Sequence, residues 1–422
     1  MHTQSPFDRL HGVAFSAICT LFLLLLLFWG VSSCGQPNPS PHTTTTGMAA
    51  KSNQEAIPHL LKQIPAPEGI GKGVLAPNHQ VYFAAYYSVP VLDELTFIAD
   101  IQMPKFDSPY GPILNDIDVN PSTGLVYVLD GFADVIDIIS NTALITSLVG
   151  IAGPPLHVVT DRDSGEVYVF YTAYINDEVE PHALVLSGTK IITDMLLPLF
   201  IQSAAYNPFD GQVYVAGHIR GGELIRENAL ITIDNYQVTK FVHPLDEPQI
   251  DVADLAINEK NGDVYILLST RIVYWDRVNP LKSIDLYAQG YRGLECITVD
   301  PIRGWAYVCA WTGYPSYALV IDQNILKEAI PIAYRPQSMA VDTKHDYVYV
   351  AHYSPAALSV IRETKLITTL DTLGAGATDV IVDEERERIY VPNADDGSVT
   401  IFGYEPITES SSWLDFLPFI QR

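Results

Sequence analysis

The chain of 422 residues is long enough for two or three domains at roughly 150 residues each, unless one repeat array occupies most of it. Hydrophobic residues make up 48% and charged residues 17%, which predicts a folded protein with a large core. The formal charge of -25 repels nucleic acid and excludes a nucleic-acid role, and the four cysteines lack the CxxC and CxxCH spacings of common zinc and haem c sites.

The amino-terminal segment has the features of an export signal. Residues 13–31 form an almost uncharged apolar run behind a short head that carries Arg9, and Ser32, Ser33 and Cys34 follow. This ending resembles a bacterial lipobox, which implies that residues 1–33 are a signal peptide and that Cys34 is the lipidated first residue of the mature chain. The alternative is an uncleaved membrane anchor, because a run of about 20 residues can span a bilayer. Either anchor predicts an exported protein held on the outer side of the bacterial cell membrane.

Residues 34–56 form the next segment, which is rich in Pro, Thr and Ser and has no apolar period. This composition predicts a flexible tether between the lipidated cysteine and the folded part. At the other end of the chain, residues 406–422 form an apolar tail that we expect to pack against the folded part or to dock a partner.

Eight copies of one pattern fill the chain between these ends. An apolar residue, a tyrosine and a second apolar residue recur every 41 to 51 residues, and Asn or Asp stands seven residues before the tyrosine in copies two to eight. A glycine three residues before the tyrosine in copies two to six suits a tight hairpin turn. Two more apolar runs follow each hairpin, and four short strands per copy predict a β-propeller blade. The eight tyrosines are Tyr82, Tyr127, Tyr168, Tyr214, Tyr265, Tyr307, Tyr349 and Tyr390.

The copies resemble the YVTN repeat family, as in NPSTGLVYVLDG and IYVPNADDGSVTIFG. Over residues 57–405 the repeats predict an all-β fold, a single propeller of eight four-stranded blades, with seven blades as the alternative. The eighth copy stops after its third strand, and Leu60–Ile64 matches the strand that is missing. We therefore expect an amino-terminal strand to complete the last blade and cover its edge.

Polar residues recur four positions before the Asn or Asp of each copy, near the expected mouth of the central channel. Three carboxylates and an imidazole converging there could hold a divalent cation, with Asp116, His157, Asp254 and Asp379 as the metal ligands. The alternative is that these side chains bond channel water and neighbouring backbone. The full set is Asp116, His157, Ser203, Asp254, Cys296, Ser338 and Asp379.

The loops expected at the same face are rich in aromatic residues, histidine and arginine, and a Tyr-Arg pair occurs twice. Aromatic rings stack on sugars or clasp peptides, and arginine binds carboxylates, so these loops suit a glycan or peptide ligand. The alternative is that the rings cover blade edges. In addition to the channel residues, the ligand-binding candidates are His218, Arg292, Trp311, Arg335, His352 and Tyr353.

Cys296 and Cys309 fall on the first two strands of the sixth blade. If Val299 pairs with Ala306, the two cysteines lie opposite each other at a separation that a disulfide accepts. The alternative is two buried free thiols, because a register shift of one residue separates them.

Catalytic motifs such as G-x-S-x-G, H-E-x-x-H and the P-loop are missing from the sequence, and five tryptophans are too few for the docking motifs of quinone-cofactor propellers. The sequence therefore favours a membrane-anchored binding platform for a cell-envelope protein, peptide or glycan over an enzyme. The alternative is a lactonase- or lyase-like enzyme at the channel mouth that uses His157, His218, His352 and the channel carboxylates.

Overall fold

All regular secondary structure in the described part of the chain is β-strand. The computed structural model describes residues 56–104, 114–176, 178–220, 227–242, 245 and 251–404. Within these ranges there is no helix with the length and apolar character that crossing a membrane requires. The predicted signal peptide, Cys34, nearly all of the tether and the apolar tail lie outside the described residues.

In the described ranges, thirty-two strands form eight four-stranded antiparallel sheets, which are the blades of the propeller. The first strand in the chain, β1 (His59–Pro65), belongs to the last blade. Blade 1 consists of β2 (Gly73–Leu75), β3 (Gln80–Phe83), β4 (Ser88–Asp93) and β5 (Thr96–Gln102). Blade 2 consists of β6 (Leu114–Val119), β7 (Leu125–Asp130), β8 (Val135–Ser140) and β9 (Ala143–Leu148). Blade 3 consists of β10 (Pro155–Thr160), β11 (Glu166–Ile175), β12 (Glu178–Ser187) and β13 (Lys190–Leu196). Blade 4 consists of β14 (Leu199–Asn207), β15 (Gln212–Ile219), β16 (Asn228–Asp234) and β17 (Gln237–Val242).

The second half of the chain repeats this arrangement. Blade 5 consists of β18 (Val252–Ile257), β19 (Val264–Leu268), β20 (Arg271–Trp275) and β21 (Lys282–Asp285). Blade 6 consists of β22 (Leu294–Asp300), β23 (Trp305–Ala310), β24 (Ser316–Asp322) and β25 (Ile325–Ile332). Blade 7 consists of β26 (Pro336–Asp342), β27 (Tyr347–His352), β28 (Ala357–Arg362) and β29 (Lys365–Asp371). Blade 8 consists of β30 (Ile381–Asp383), β31 (Arg388–Asn393), β32 (Ser398–Gly403) and β1.

The recurring Asn or Asp shapes the turn between the first and second strands. In blade 2, Asn120 Oδ1 accepts the backbone N–H groups of Ser122 and Thr123 at 2.9 and 3.1 Å. Gly124 then adopts a φ of 69°, a left-handed conformation that glycine reaches more easily than residues with a side chain. Asx turns of this kind replace backbone pairing at a chain reversal, so a short polar sequence fixes the hairpin in each repeat.

The recurring tyrosine is a packing residue between blades. All eight are buried on the second strands, and eight hydrophobic clusters fill the eight interfaces between neighbouring blades. The Tyr127 hydroxyl also donates to the carbonyl of Gly188 in the next blade at 2.9 Å. Burial of both faces explains why the middle strands are nearly continuous apolar runs, whereas β5 alternates between exposed and half-buried residues over most of its length.

The ring closes through the amino-terminal strand, as the sequence predicts. Strand β1 pairs antiparallel with β32, with Ile64 opposite Val399. The first strands of the blades contact one another in an unbroken circle, β2 to β6 to β10 and onward to β30 and back to β2. The prediction of eight four-stranded blades is confirmed, and the alternative of seven is wrong.

Candidate functional site

The predicted channel residues and loop residues lie at one end of the propeller. Neighbouring strands of a blade are antiparallel, so the loops between second and third strands lie at the same end as the connections between blades. We call this end the upper face. The first strand of each blade begins at the upper face, so its first residues surround the mouth of the channel.

Eight side chains take equivalent positions around this mouth. In blade 2, Asp116 pairs with Leu129, two residues after the anchor Tyr127. Blade 1 contributes Lys72, whose carbonyl accepts the N–H of Ala84, two residues after its own anchor tyrosine, at 2.9 Å. The other members are those that the sequence predicts. We call the set the channel ring: Lys72, Asp116, His157, Ser203, Asp254, Cys296, Ser338 and Asp379.

Lys72 brings a positive charge into the ring that the sequence analysis missed. Its Nζ forms an ion pair with Oδ1 of Asp116, and His157 Nδ1 lies 3.7 Å from Oδ2 of the same carboxylate. Burial alone would lower the pKa of Lys72, but the charges of Asp116, Asp118 and Asp379 raise it above its usual value. Burial likewise opposes ionisation of Asp116, yet Lys72 and His157 hold its pKa well below the usual range. Lys72 is therefore protonated at neutral pH and is no nucleophile.

Each ring carboxylate also accepts a backbone N–H from the first strand of the following blade. Burial raises the pKa of Asp254 and of Asp379, and these hydrogen bonds partly offset the effect by stabilising the ionised form. The donors are Val158 to Asp116 at 3.0 Å, Ile297 to Asp254 at 3.4 Å and Gly73 to Asp379 at 3.0 Å.

The same carboxylates contact the preceding blade. The Ser203 hydroxyl donates to Asp254 at 3.2 Å, and the Ser338 hydroxyl donates to Asp379 at 2.6 Å. The Lys72 ammonium group of blade 1 likewise donates to Asp116. The carboxylates of blades 2, 5 and 8 thus link blades 1 to 3, 4 to 6 and 7 to 1. The polar groups of the ring hold the blades together at the channel mouth.

The predicted metal ligands are not gathered into one set. Asp116 and His157 lie close together, but Asp254 and Asp379 are held by the serine hydroxyls and backbone groups of their own neighbours. Among the described residues, no group of three or more His, Cys, Asp or Glu side chains is placed to hold a metal ion. The geometry fits the alternative in which these groups bond neighbouring backbone.

Two histidines that the sequence analysis assigned to loops lie on buried strands. His352 on β27 is fully buried, its Nε2 lies 2.9 Å from the Ser359 hydroxyl, and burial lowers its pKa to about 4. His218 on β15 is also buried, and its Nε2 lies 3.0 Å from Oδ1 of Asp251. His157, His218 and His352 lie on three separate sheets, in blades 3, 4 and 7.

The remaining loop candidates lie side by side on the upper face of blades 6 and 7. The Arg292 guanidinium lies over the ring of Tyr287 at 4.6 Å, and the Arg335 guanidinium lies over the ring of Tyr353 at 4.3 Å. The Trp311 ring meets that of Tyr334 edge to face, with centroids 5.8 Å apart. We call these six residues the arginine–aromatic patch.

Other tyrosine rings on the upper face are open to solvent. Tyr314 in the loop after β23 is 87% exposed, and Tyr86 and Tyr87 in the loop after β3 are about half exposed. Exposed aromatic rings of this size are costly to leave in water, and their concentration at one face is typical of a binding surface.

Cys296 and Cys309 form a disulfide in the structure, with Cα atoms 5.1 Å apart. Val299 pairs with Ala306 as the sequence analysis assumed, and a bulge begins just before Ile297. The bond joins the first two strands of blade 6 beside the channel mouth.

Fold and site together define the class of protein, an eight-bladed β-propeller with a cross-linked channel mouth and an aromatic upper face. No family model matches the sequence, and no curated protein matches it. Among solved structures, the chain is similar to the "Dos1 propeller", with a TM-score of 0.65 and 10% identity over 83% of this chain and 96% of that one. It is also similar to the hydrazine synthase of Kuenenia stuttgartiensis, with a TM-score of 0.52 and 13% identity over 80% of this chain and 96% of that one. At these identities the similarity shows the propeller fold alone.

Proposed function

We propose that this protein is a membrane-anchored, extracytoplasmic binding platform of the YVTN-repeat type, and that its upper face binds a peptide or glycan of the cell envelope. The observation that carries the proposal is the concentration of exposed tyrosines and stacked arginines on that face. Loops on a rigid scaffold are the usual place for binding residues, and the linked channel ring keeps these loops in a fixed arrangement.

The proposed location rests on the lipobox-like sequence that ends at Cys34 and on the polar tether behind it. The disulfide between Cys296 and Cys309 supports it, because such bonds persist in oxidising compartments outside the cytoplasm. A Cys34→Ala variant of the full chain should no longer incorporate radiolabelled fatty acid in a bacterial host. Undiminished labelling would show that Cys34 is not the lipidated residue.

Binding at the upper face can be tested with the full-length protein in detergent on arrays of bacterial glycans and peptides. We expect the double variant Tyr87→Ala/Tyr314→Ala to lose at least tenfold in affinity for any ligand found. Phe209→Ala is the matched control, because Phe209 is 55% exposed in a turn at the opposite face. Equal losses in the two variants, or ligand binding that survives the double substitution, would place the site elsewhere.

A further inference from the structure

Among the residues that the structure describes, two arginines of the upper face have no acidic partner. The chain has 49 acidic and 24 basic residues, and other arginines, such as Arg220 and Arg303, form ion pairs with carboxylates. Within the described residues, Arg292 and Arg335 form no such pair, and each guanidinium lies over a tyrosine ring instead. Guanidinium groups held in this way are available to a ligand with negative charge.

Trp311 connects the two segments that carry these arginines. The backbone N–H of Trp311 donates to the carbonyl of Gly293 at 2.9 Å, and Gly293 directly follows Arg292. The Trp311 ring contacts Tyr334, which directly precedes Arg335. The two segments that carry Arg292 and Arg335 therefore both contact Trp311.

The backbone at Arg335 is strained in a way that its neighbours avoid. Arg335 has a φ of 54°, and its carbonyl accepts the N–H of Tyr353 at 2.9 Å. Gly293 and Gly376 accept the equivalent hydrogen bonds in blades 6 and 8, with φ values of 55° and 73°. Glycine adopts this conformation at little cost, whereas arginine does not. Both neighbouring blades have glycine at this position. The presence of arginine here therefore points to a role for its side chain.

The guanidinium of Arg335 is also held in place from below. The Tyr353 hydroxyl donates to Asp395 Oδ1 in blade 8 at 2.7 Å, which fixes the ring over which the guanidinium lies. Glu295 is close enough to Arg335 for the arginine to lower its pKa, although burial has the larger, opposite effect. Glu295 and Arg335 do not form an ion pair, so the guanidinium N–H groups of Arg335 remain available to a ligand.

We propose that the arginine–aromatic patch binds an acidic oligosaccharide through the carboxylates of its sugar units, as in uronic acids. This inference rests on the proposed function. The apolar faces of the sugars would stack on Trp311 and the tyrosine rings, and the carboxylates would bind Arg292 and Arg335. A sugar is favoured over a peptide because the patch presents flat aromatic rings with polar groups at their edges, which match the apolar face and polar edge of a sugar ring.

The test compares oligogalacturonate with its methyl ester, which has the same rings but no charge, by titration calorimetry on the full-length protein. Oligoguluronate serves as a second acidic probe. We expect at least tenfold weaker binding of the ester. Arg292→Gln and Arg335→Gln should each weaken binding of the acid at least tenfold and leave binding of the ester unchanged. The control is Arg162→Gln, because Arg162 is exposed at the opposite face and pairs with Glu259.

A further variant, Arg335→Gly, separates a binding role from a structural one. Relief of the backbone strain should leave Tm at or above the wild-type value, while affinity for the acid falls as in Arg335→Gln. A lower Tm with unchanged affinity would overturn the proposal. Equal affinity for acid and ester, no binding of either acidic probe, or binding of an acidic peptide alone would also overturn it and leave the binding platform intact. If the upper face binds neither glycans nor peptides, the proposed function fails as well.

Discussion

Replacing Lys72 with methionine removes the positive charge of the channel ring and keeps a side chain of similar length. Asp116 then loses its ion pair but keeps the N–H groups of Ile117 and Val158, both at 3.0 Å, and His157 at 3.7 Å. Because Asp116 is buried, the lost partner is not fully replaced by water. We therefore expect Lys72→Met to lower the free energy of unfolding.

The magnitude follows from the exposure of the two side chains. Breaking a fully buried pair costs about 3 to 5 kcal/mol, and breaking an exposed pair costs about 0 to 1 kcal/mol. The Asp116 side chain is 7% exposed and that of Lys72 is 53% exposed. The pair lies between the two limits, so the expected loss is about 1 to 3 kcal/mol.

The loss should depend on pH in a defined direction. The pKa of Asp116 is lower in the folded state, so its contribution is complete above the unfolded pKa of 3.8 and disappears as the pH falls. The pKa of Lys72 is higher in the folded state, so its contribution is complete below the unfolded pKa of 10.5. The difference between wild type and Lys72→Met should be constant from about pH 5 to 9 and shrink below about pH 4.

Urea denaturation at several pH values, followed by tryptophan fluorescence, measures this difference. Lys344→Met is the matched control, because Lys344 pairs with Glu387 at 2.7 Å and both side chains are more than one-third exposed. The control should lose less than about 1 kcal/mol. A loss in Lys72→Met no larger than in the control, or one that persists unchanged at pH 3, would refute the assigned role of the ion pair.

Two further predictions concern blades 6 and 2. The double variant Cys296→Ser/Cys309→Ser should unfold about 3 kcal/mol more easily, because the disulfide closes a loop with a sequence separation of 13; unchanged stability in denaturant without reductant would contradict this. Burial raises the pKa of Asp137 to about 6, so the contribution of Asp137 to wild-type stability should fall as the pH rises from about 4 to 6. Asp137→Asn should make this slope shallower and be up to about 3 kcal/mol more stable than wild type at pH 8, and an unchanged slope in the variant would disprove the assignment.

The propeller could be predicted because each repeat encodes its own hairpin. In blade 2, Asn120 and Gly124 define the turn, and Tyr127 packs the second strand against its neighbours. These contacts are local or between adjacent blades, so the same short pattern gives the same structure eight times. The closing strand could also be predicted, because the last copy lacks one strand and propellers leave no open edge.

The channel ring could be predicted only where the repeats are equal in length. Counting back 11 residues from the anchor tyrosine finds seven members, but it reaches Gly71 in the first blade, whose turn is shorter. Counting across the hairpin instead finds Lys72 opposite Ala84, as Asp116 is opposite Leu129. Partners across a hairpin are therefore a better guide to equivalence than distances along the chain.

The loop residues show where sequence patterns give too little information. The two Tyr-Arg pairs look equivalent, yet Arg335 occupies the backbone position of Gly293, one residue beyond Arg292. The position of His352 shortly after an anchor tyrosine predicts a loop residue, but β27 extends to His352 and buries it. Strand ends depend on pairing with the neighbouring strand, which a single sequence does not reveal.

The distribution of charge explains why we place the ligand at the rim of the upper face. Carboxylates in the channel ring accept hydrogen bonds from two blades each, so a ligand that displaced Asp254 or Asp379 from its partners would loosen the ring. The side chains of the arginine–aromatic patch do not link the first strands of neighbouring blades. Arg335 even adds strain to the backbone that holds it. Binding at the rim therefore leaves the contacts that close the propeller intact, whereas binding in the ring would compete with them.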